Sequence, residues 1–508
     1  MDTDRSALLW RRLTVGSILV YLFLGILLVW MGQLNMDEGW YLYASKLVYA
    51  GFLPYRDFAY TQTPLLPYVY GLPLLFQSSI LTGRLTSLAC SVTALLVFLR
   101  VARRYGGEPA MALTAWLVVT FTYGLYFAAI VKTYALVSLL TAGTLWAVTA
   151  RPRHQWNYLA AALGAILTAA TRLSAIALAV PVIVYCLWAA KRSRVRWSIG
   201  AMMAVTAIGF TILFAQNPQA TEWNLLGHHL AQWGDVTLVE KLTEIIWYRA
   251  PAWLNFYLPY VLLIVALIVS YLIARGRRVV GRFHLQSVAL PLLVYGLGLT
   301  LFGATHFVTG GWYLEYFVPP AIGGLPLLAI AAARILTVWR TQRRARLLLS
   351  AALLLLPIWA VIQYSLLNLD LSGGQPPLQE AAEVTAFVTQ NSTSNDQIMA
   401  LEDLWVAIDS NRSVPPDMAL ALFSLQPLDR QTAARLHLVN CAMLTERISQ
   451  QEFRIVVISQ LDQALFAAGG CDTAIDQSLA VHYNLGLVKE QFGQFNMPVS
   501  VYVRRETR

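Results

Sequence analysis

The sequence predicts an α-helical polytopic membrane protein with about eleven transmembrane helices. Amphipathic helices are expected in its first extracytoplasmic loop, and a small α/β extracytoplasmic domain at its C-terminus. Three observations predict this: the composition, the length of the apolar runs, and the loops in which basic residues collect. Of 508 residues, 57% are hydrophobic and only 13% charged, where a soluble domain averages about 25% charged. The formal charge of +10 does not point to nucleic acid, because the basic residues fall in short clusters between apolar runs, the pattern that fixes membrane orientation.

The first run, Leu13 to Met31, is long enough to span a bilayer. It exceeds a signal-peptide core and lacks a small-residue cleavage site after it, so it reads as a retained helix. Further runs fall near 80–99, 109–126, 133–149, 156–170, 172–190, 197–215, 253–274, 284–303, 316–338 and 347–368. Basic clusters then set the parity. They lie at Arg5, Arg11 and Arg12; at Arg100, Arg103 and Arg104; and at Arg151 and Arg153. Three more lie at Lys191, Arg192, Arg194 and Arg196; at Arg275, Arg277, Arg278 and Arg282; and at Arg334, Arg340, Arg343, Arg344 and Arg346. All six share one side if there are eleven spans with turns near Lys132 and Arg172. That side is cytoplasmic by the positive-inside rule, so the expected location is the plasma membrane, with the N-terminus inside and the tail outside. Asp37, Glu38, Asp57, Glu222, Asp235, Glu240, Glu244 and Glu315 then face the outside, where any chemistry would take place.

The composition changes after Leu369. Residues 1–369 form the membrane domain and residues 370–508 an extracytoplasmic α/β domain, in which β-rich runs such as "FRIVVIS" and "VSVYVRR" alternate with helix-like stretches. Cys441 and Cys471 lie in this tail and could form a disulfide in an oxidising compartment. Cys90 and Cys186 sit inside apolar runs and read as packing residues.

The segment "NMDEGWYLYASKLVYAGFLPYRDFAYTQTPLLPYVYG", residues 35 to 71, carries the most information. Trp40, Tyr41, Ala44, Leu47 and Val48 follow helical spacing, as in an amphipathic helix lying at headgroup depth. Asn35 and Glu38 have the spacing of an N-cap and its capping-box partner. Capping therefore accounts for Glu38. For Asp37, local physics leaves a structural and a catalytic role equally open, since any carboxylate is favourable at a helix N-terminus.

Asp37-Glu38, Gly51, Pro54-Tyr55, Asp57 and Pro64-Leu65 together resemble the first extracytoplasmic loop of the C-type membrane glycosyltransferases. The likeness is to the prokaryotic group similar to dolichyl-phosphate-mannose protein mannosyltransferases. "VKTYAL" (131–136), "TRLSAIALAVP" (171–181) and "GGWYLEYFVPPAIGGLPLLA" (310–329) resemble later spans of the same group. Glu315 stands where relatives often show a basic residue beside the tyrosine.

The resemblance implies an inverting glycosyltransferase that moves a hexose or pentose from a polyprenyl-phosphate donor to an extracytoplasmic protein, lipid or glycan. It needs one general base, because a phosphate leaves without being protonated. Asp37 is the expected base. Asp57 would orient the acceptor or hold Asp37, and Glu38 would support the helix end. Lys132 and Arg172 read as contacts to the leaving phosphate or as snorkelling anchors, and His306 and Tyr313 complete the donor-side candidates. No cofactor is expected. The only Asp-x-Asp motif, Asp2-Thr3-Asp4, lies at the cytoplasmic end, so no essential metal is expected, although a divalent ion stays possible. The expected partners are the lipid-linked donor, an unknown acceptor and membrane lipid, with no nucleic acid. The alternatives are a polytopic transporter and a lipid-linked-glycan ligase or flippase. A transporter would show internal repeats and helices broken near mid-membrane.

Overall fold

Eleven apolar runs leave little choice but a helical bundle, since in lipid every backbone N–H and C=O must find its partner inside the segment. A computed structural model describes residues 2–150, 154–231, 237–275, 289–308, 313–338, 343–370 and 375–506. Arg151, Arg153, Asp235, Arg277, Arg278, Arg282 and Arg340 lie outside the described residues.

The described part of each apolar run is largely helical. Helix α1 is Asp2–Met31, α2 Met36–Tyr49, α3 Leu65–Leu74 and α4 Ile80–Thr120. Next come α5 Thr122–Ala129, α6 Thr133–Val148, α7 Trp156–Thr171, α8 Ile176–Ala189 and α9 Ser193–Gln216. The bundle closes with α10 Ala250–Arg275, α11 Ala289–Val308, α12 Val318–Val338 and α13 Arg343–Ile362. Among the described residues, six helices are long and apolar enough to cross a membrane, or seven if a bent pair counts as one span. Shorter apolar helices cover 156–171, 173–189 and 346–362.

Two breaks position the site. Helix α4 is two helices joined at Gly107, whose φ of +70° favours glycine, and this break divides its 41 residues into two legs. Helices α5 and α6 meet at 104° across a short break, which leaves Lys132 in extended backbone at the N-cap of α6. Arg172 likewise sits in extended backbone where α7 ends.

The tail folds around a four-stranded sheet of β1 (Ile398–Ala400), β2 (Ile455–Ser459), β3 (Tyr483–Phe492) and β4 (Met497–Arg504). The strand order is β1-β2-β4-β3, with β1 and β2 parallel and the other pairs antiparallel. Cys441 and Cys471 form a disulfide. Where the tail begins, Asp370 N donates to Met31 O (2.9 Å) and Gln33 N to Asn368 O (2.8 Å), so the chain leaves the bundle beside the end of α1.

The surroundings of α2 differ from the sequence expectation. The helix is present, but from Glu38 to Ser45 every residue is buried, so no face of this stretch is left for lipid. The tail domain covers it. Tyr43 bridges both backbone groups of Val414 (2.5 and 2.6 Å), and Lys46 Nζ donates to Arg412 O at 3.0 Å. A Cβ on Gly39 would stand 2.8 Å from Trp405 N. Trp40 and Tyr41, the aromatic residues that suggested headgroup depth, are instead buried against each other and Tyr60 (ring centroids 3.7 Å and 5.5 Å).

Candidate active site

The N-terminus of α2 is organised by its own sequence. Asn35 caps it and closes a capping box with Glu38, as the spacing predicts. Glu38 does more than cap. It is fully buried and pairs with an equally buried Arg84 at 2.6 Å. The guanidinium donates to both Glu38 oxygens (Nε at 2.9 Å, Nη2 at 2.6 Å). It also donates to the carbonyls of Val29, Gly32 and Gln33. Glu38 in turn accepts from Val131 N at 3.1 Å and Asn35 N at 3.1 Å. A buried ion pair is tolerable only when its remaining donors and acceptors are matched, and here they are. Arg84 is the only charge between Ile80 and Leu99. An isolated ionisable residue in an apolar run carries a presumption of purpose, and that signal could have found it.

Asp37 faces a different set of groups. Its Oδ2 lies 2.7 Å from Lys132 Nζ, and its Oδ1 accepts from Trp40 Nε1 at 3.0 Å. The same ammonium donates to both oxygens of Glu315 (2.9 and 3.0 Å), and Tyr134 OH donates to Glu315 Oε1 at 3.1 Å. Glu315 was not among the sequence candidates, although it is the only acidic residue between Ala289 and Ala333. Asp37 and Glu315, far apart in the chain, thus converge on one buried cation.

Arg172 is also buried, but it makes no ion pair with a carboxylate among the described residues. Its Nη1 donates to Thr133 Oγ1 at 3.2 Å, and its guanidinium carbon lies 5.2 Å from the Tyr134 ring centroid and 4.8 Å from that of Tyr316. Among the described residues, its Nε has no hydrogen-bond partner, nor do His306 Nε2 and Ser174 Oγ. Arg172, Ser174, His306, Tyr316, Thr61 and His229 line one cavity of about 210 Å³. His229 Nε2 meets Thr61 O at 3.1 Å, and burial lowers the His229 pKa. A second, larger cavity of about 630 Å³ opens beside α11 and the start of α12. Trp253, Tyr257, Leu299, Gly303 and Phe317 are among the side chains that line it, and its character is apolar.

The remaining candidates are dispersed. Asp57 accepts from Leu53 N (2.7 Å) and is chelated by its neighbour Arg56 (2.6–3.0 Å), which depresses its pKa. No described contact joins Asp57 to Asp37, Lys132 or Glu315. Tyr313 is exposed and lies edge-on to Tyr316 at 5.3 Å. Among the described residues, no three His, Cys, Asp or Glu side chains are placed to share a metal ion. Between Asp37 and Glu315, the position a shared cation would take is held by the Lys132 ammonium.

No family model matches the chain, and no curated protein matches it in sequence. Solved structures do match in fold. ArnT from Cupriavidus metallidurans, bound to undecaprenyl phosphate, superposes with a TM-score of 0.60 at 14% identity, over 96% of this chain and 97% of that one. The apo form of the same protein gives 0.62 at 13% identity, over 98% of each chain. The archaeal oligosaccharyltransferase AglB from Archaeoglobus fulgidus, in complex with an inhibitory peptide and a dolichol-phosphate, gives 0.51 at 12% identity. It is matched over 93% of this chain and 72% of its own. Superposition over nearly the whole chain gives it the fold of these C-type membrane glycosyltransferases, a multi-pass helical bundle with a C-terminal domain.

Proposed function

We propose that the chain is an inverting glycosyltransferase that moves a hexosyl or pentosyl group from a polyprenyl-phosphate donor to an acceptor outside the cytoplasm. The observation that carries this reading is Arg172, a buried guanidinium with no carboxylate partner and an unpartnered Nε among the described residues, opening into a cavity beside a large apolar one. A buried cation without a counter-ion is costly unless a ligand supplies the charge. An anion with an apolar tail suits both cavities: the phosphate beside Arg172, Ser174 and His306, and the chain in the apolar cavity, whose volume is in the range of ligand sites. The undecaprenyl phosphate bound to ArnT and the dolichol-phosphate in the AglB complex favour the same ligand class.

In the reaction, the acceptor oxygen attacks the anomeric carbon as the bond from that carbon to the phosphate oxygen breaks. The bonding pair stays on the phosphate, where Arg172 offsets the growing charge. The acceptor proton passes to Asp37, and a single displacement inverts the configuration. Lys132, held by Glu315, fixes Asp37 in place, so its role here is positioning, with the phosphate left to Arg172. Asp57 serves the acceptor side or the loop that carries it. The basic clusters and the disulfide, which suits an oxidising compartment, support a cytoplasmic N-terminus and a tail outside the plasma membrane, with the domain boundary near residue 370.

The test is to incubate membranes bearing the protein with a panel of polyprenyl-phosphate hexoses and pentoses, then identify the product by mass and its anomeric configuration by NMR. Transfer with inversion from at least one donor is expected. Vectorial movement of the intact lipid or of a small solute, with no glycosidic bond formed, would instead support a flippase or transporter.

A further inference from the structure

The tail domain reaches the end of α2 that carries Asp37. The loop between β3 and β4 spans residues 493–496, and its Gln494 Oε1 accepts the backbone N–H of Met36 at 2.9 Å. That donor is the first residue of α2, one of the orphan N–H groups that a helix start must satisfy. The other early donors are met locally: Asp37 N by Asn35 Oδ1 (3.1 Å), and Glu38 N by Asn35 O (2.9 Å). Only Met36 depends on a residue 458 positions away.

The loop is held in place to do this. Phe492 is buried and lies 5.3 Å from the ring of Trp405, the residue whose backbone packs against Gly39. Gly493 turns with φ +71°, and a Cβ there would stand 3.3 Å from Asp403 Oδ1. Strand end, loop and α2 are therefore in continuous contact.

We propose that Gln494 is a positioning residue for Asp37: its side-chain carbonyl fixes the first turn of α2, so the tail domain sets the depth and angle of the base. This rests on the reading of Asp37 as the base. A small misplacement of a reacting group is costly in rate even when the group itself is intact. Gln494 touches neither donor cavity, so its loss should leave donor binding unchanged.

The test compares Gln494→Leu, which keeps bulk but removes the acceptor, with Gln494→Glu, which keeps an acceptor oxygen. Three readouts are needed: kcat with the KM for the polyprenyl-phosphate sugar, amide exchange over Met36–Glu38, and the melting temperature. Gln494→Leu should lower kcat by roughly tenfold or more, with donor KM unchanged, faster exchange at Met36–Glu38 and an unchanged melt. Gln494→Glu should restore both kcat and protection. Faster exchange with wild-type kcat would make Gln494 a cap only and overturn the proposal. So would unchanged exchange, or a fall in kcat that merely follows a fall in melting temperature. If Asp37 is not the base, Asp37→Asn will keep full transfer while exchange still responds to Gln494, which separates the two failures.

Discussion

Glu38 and Asp37 are neighbours in the chain, both buried or half-buried and both paired with a cation, yet their surroundings differ in kind. Around Glu38 every polar atom is matched. Arg84 donates to two carboxylate oxygens and three carbonyls, and Glu38 accepts from two further backbone amides. Around Asp37 the account does not close. Lys132 serves two carboxylates, and nearby Arg172, Ser174 and His306 each keep an unpartnered atom. Buried polar groups in folded proteins are overwhelmingly satisfied, so the orphan atoms of Arg172, Ser174 and His306, set against the fully matched Glu38–Arg84 pair, separate a region built to be occupied from one built to hold still.

The comparison breaks most severely at Glu38. Glu38→Ala should strand the Arg84 guanidinium in the bundle at a cost of about 3–5 kcal/mol, visible as loss of folded protein in detergent. Glu38→Gln with Arg84→Met should recover much of it, because the unpaired charge goes with the pair. If Glu38→Ala folds normally and only transfer suffers, the division between the two carboxylates is wrong.

The next effect is at Arg172. Arg172→Ala should fold, because no carboxylate loses its counter-ion, while the barrier to transfer rises by about 2–4 kcal/mol and undecaprenyl phosphate binds more weakly. Lys132→Ala should behave differently, lowering stability as well as rate, since it leaves Asp37 and Glu315 facing each other. Equal melts for the two variants would remove the distinction between the phosphate's cation and the base's holder.

The smallest effect lies in the tail, at the contact the bundle makes with it. Glu402, Asp403 and Asp462 are buried together, and Glu402 Oε2 and Asp403 Oδ2 have no hydrogen-bond partner among the described residues. Burial, then the charges of Glu402 and Asp462, hold the Asp403 pKa well above the usual carboxylate range, and burial pushes Asp462 up to about 7. A carboxyl whose pKa is raised on folding holds its proton more tightly when folded. Its contribution is most favourable at low pH and is lost as pH climbs from the unfolded value toward the folded one. Asp403→Asn should therefore raise the melting temperature at pH 8, by the equivalent of about 1–3 kcal/mol, and change it less at pH 5. A gain that is independent of pH would show that Asp403 is not protonated in the fold.

Much of this architecture was legible in the sequence because it is local or compositional. Apolar runs mark where the helices form, and Asn35 with Glu38 three residues on is a capping-box signature. What was not legible is pairing over long separations. Nothing near Lys132 announces Glu315, 183 residues on, and nothing near Met36 announces Gln494. The burial of α2 was hidden for a related reason: aromatic residues at helical spacing suit a lipid interface and a protein interface equally well, and only the docked tail decides between them. Asp57 shows the converse. Its motif stands out in the sequence, while its hydrogen bonds among the described residues are to the adjacent Arg56 and to Leu53 N.

The central claim is that Asp37 carries the proton and its neighbour does not, and Asp37→Asn tests it most directly. The substitution keeps shape and removes basicity. Transfer from a polyprenyl-phosphate sugar should fall by about 10²–10⁴-fold at unchanged donor binding and with a folded, wild-type-like melt. Near-full transfer by Asp37→Asn, with loss of transfer in Asp57→Asn or Glu315→Gln instead, would contradict the account and move the base to that residue.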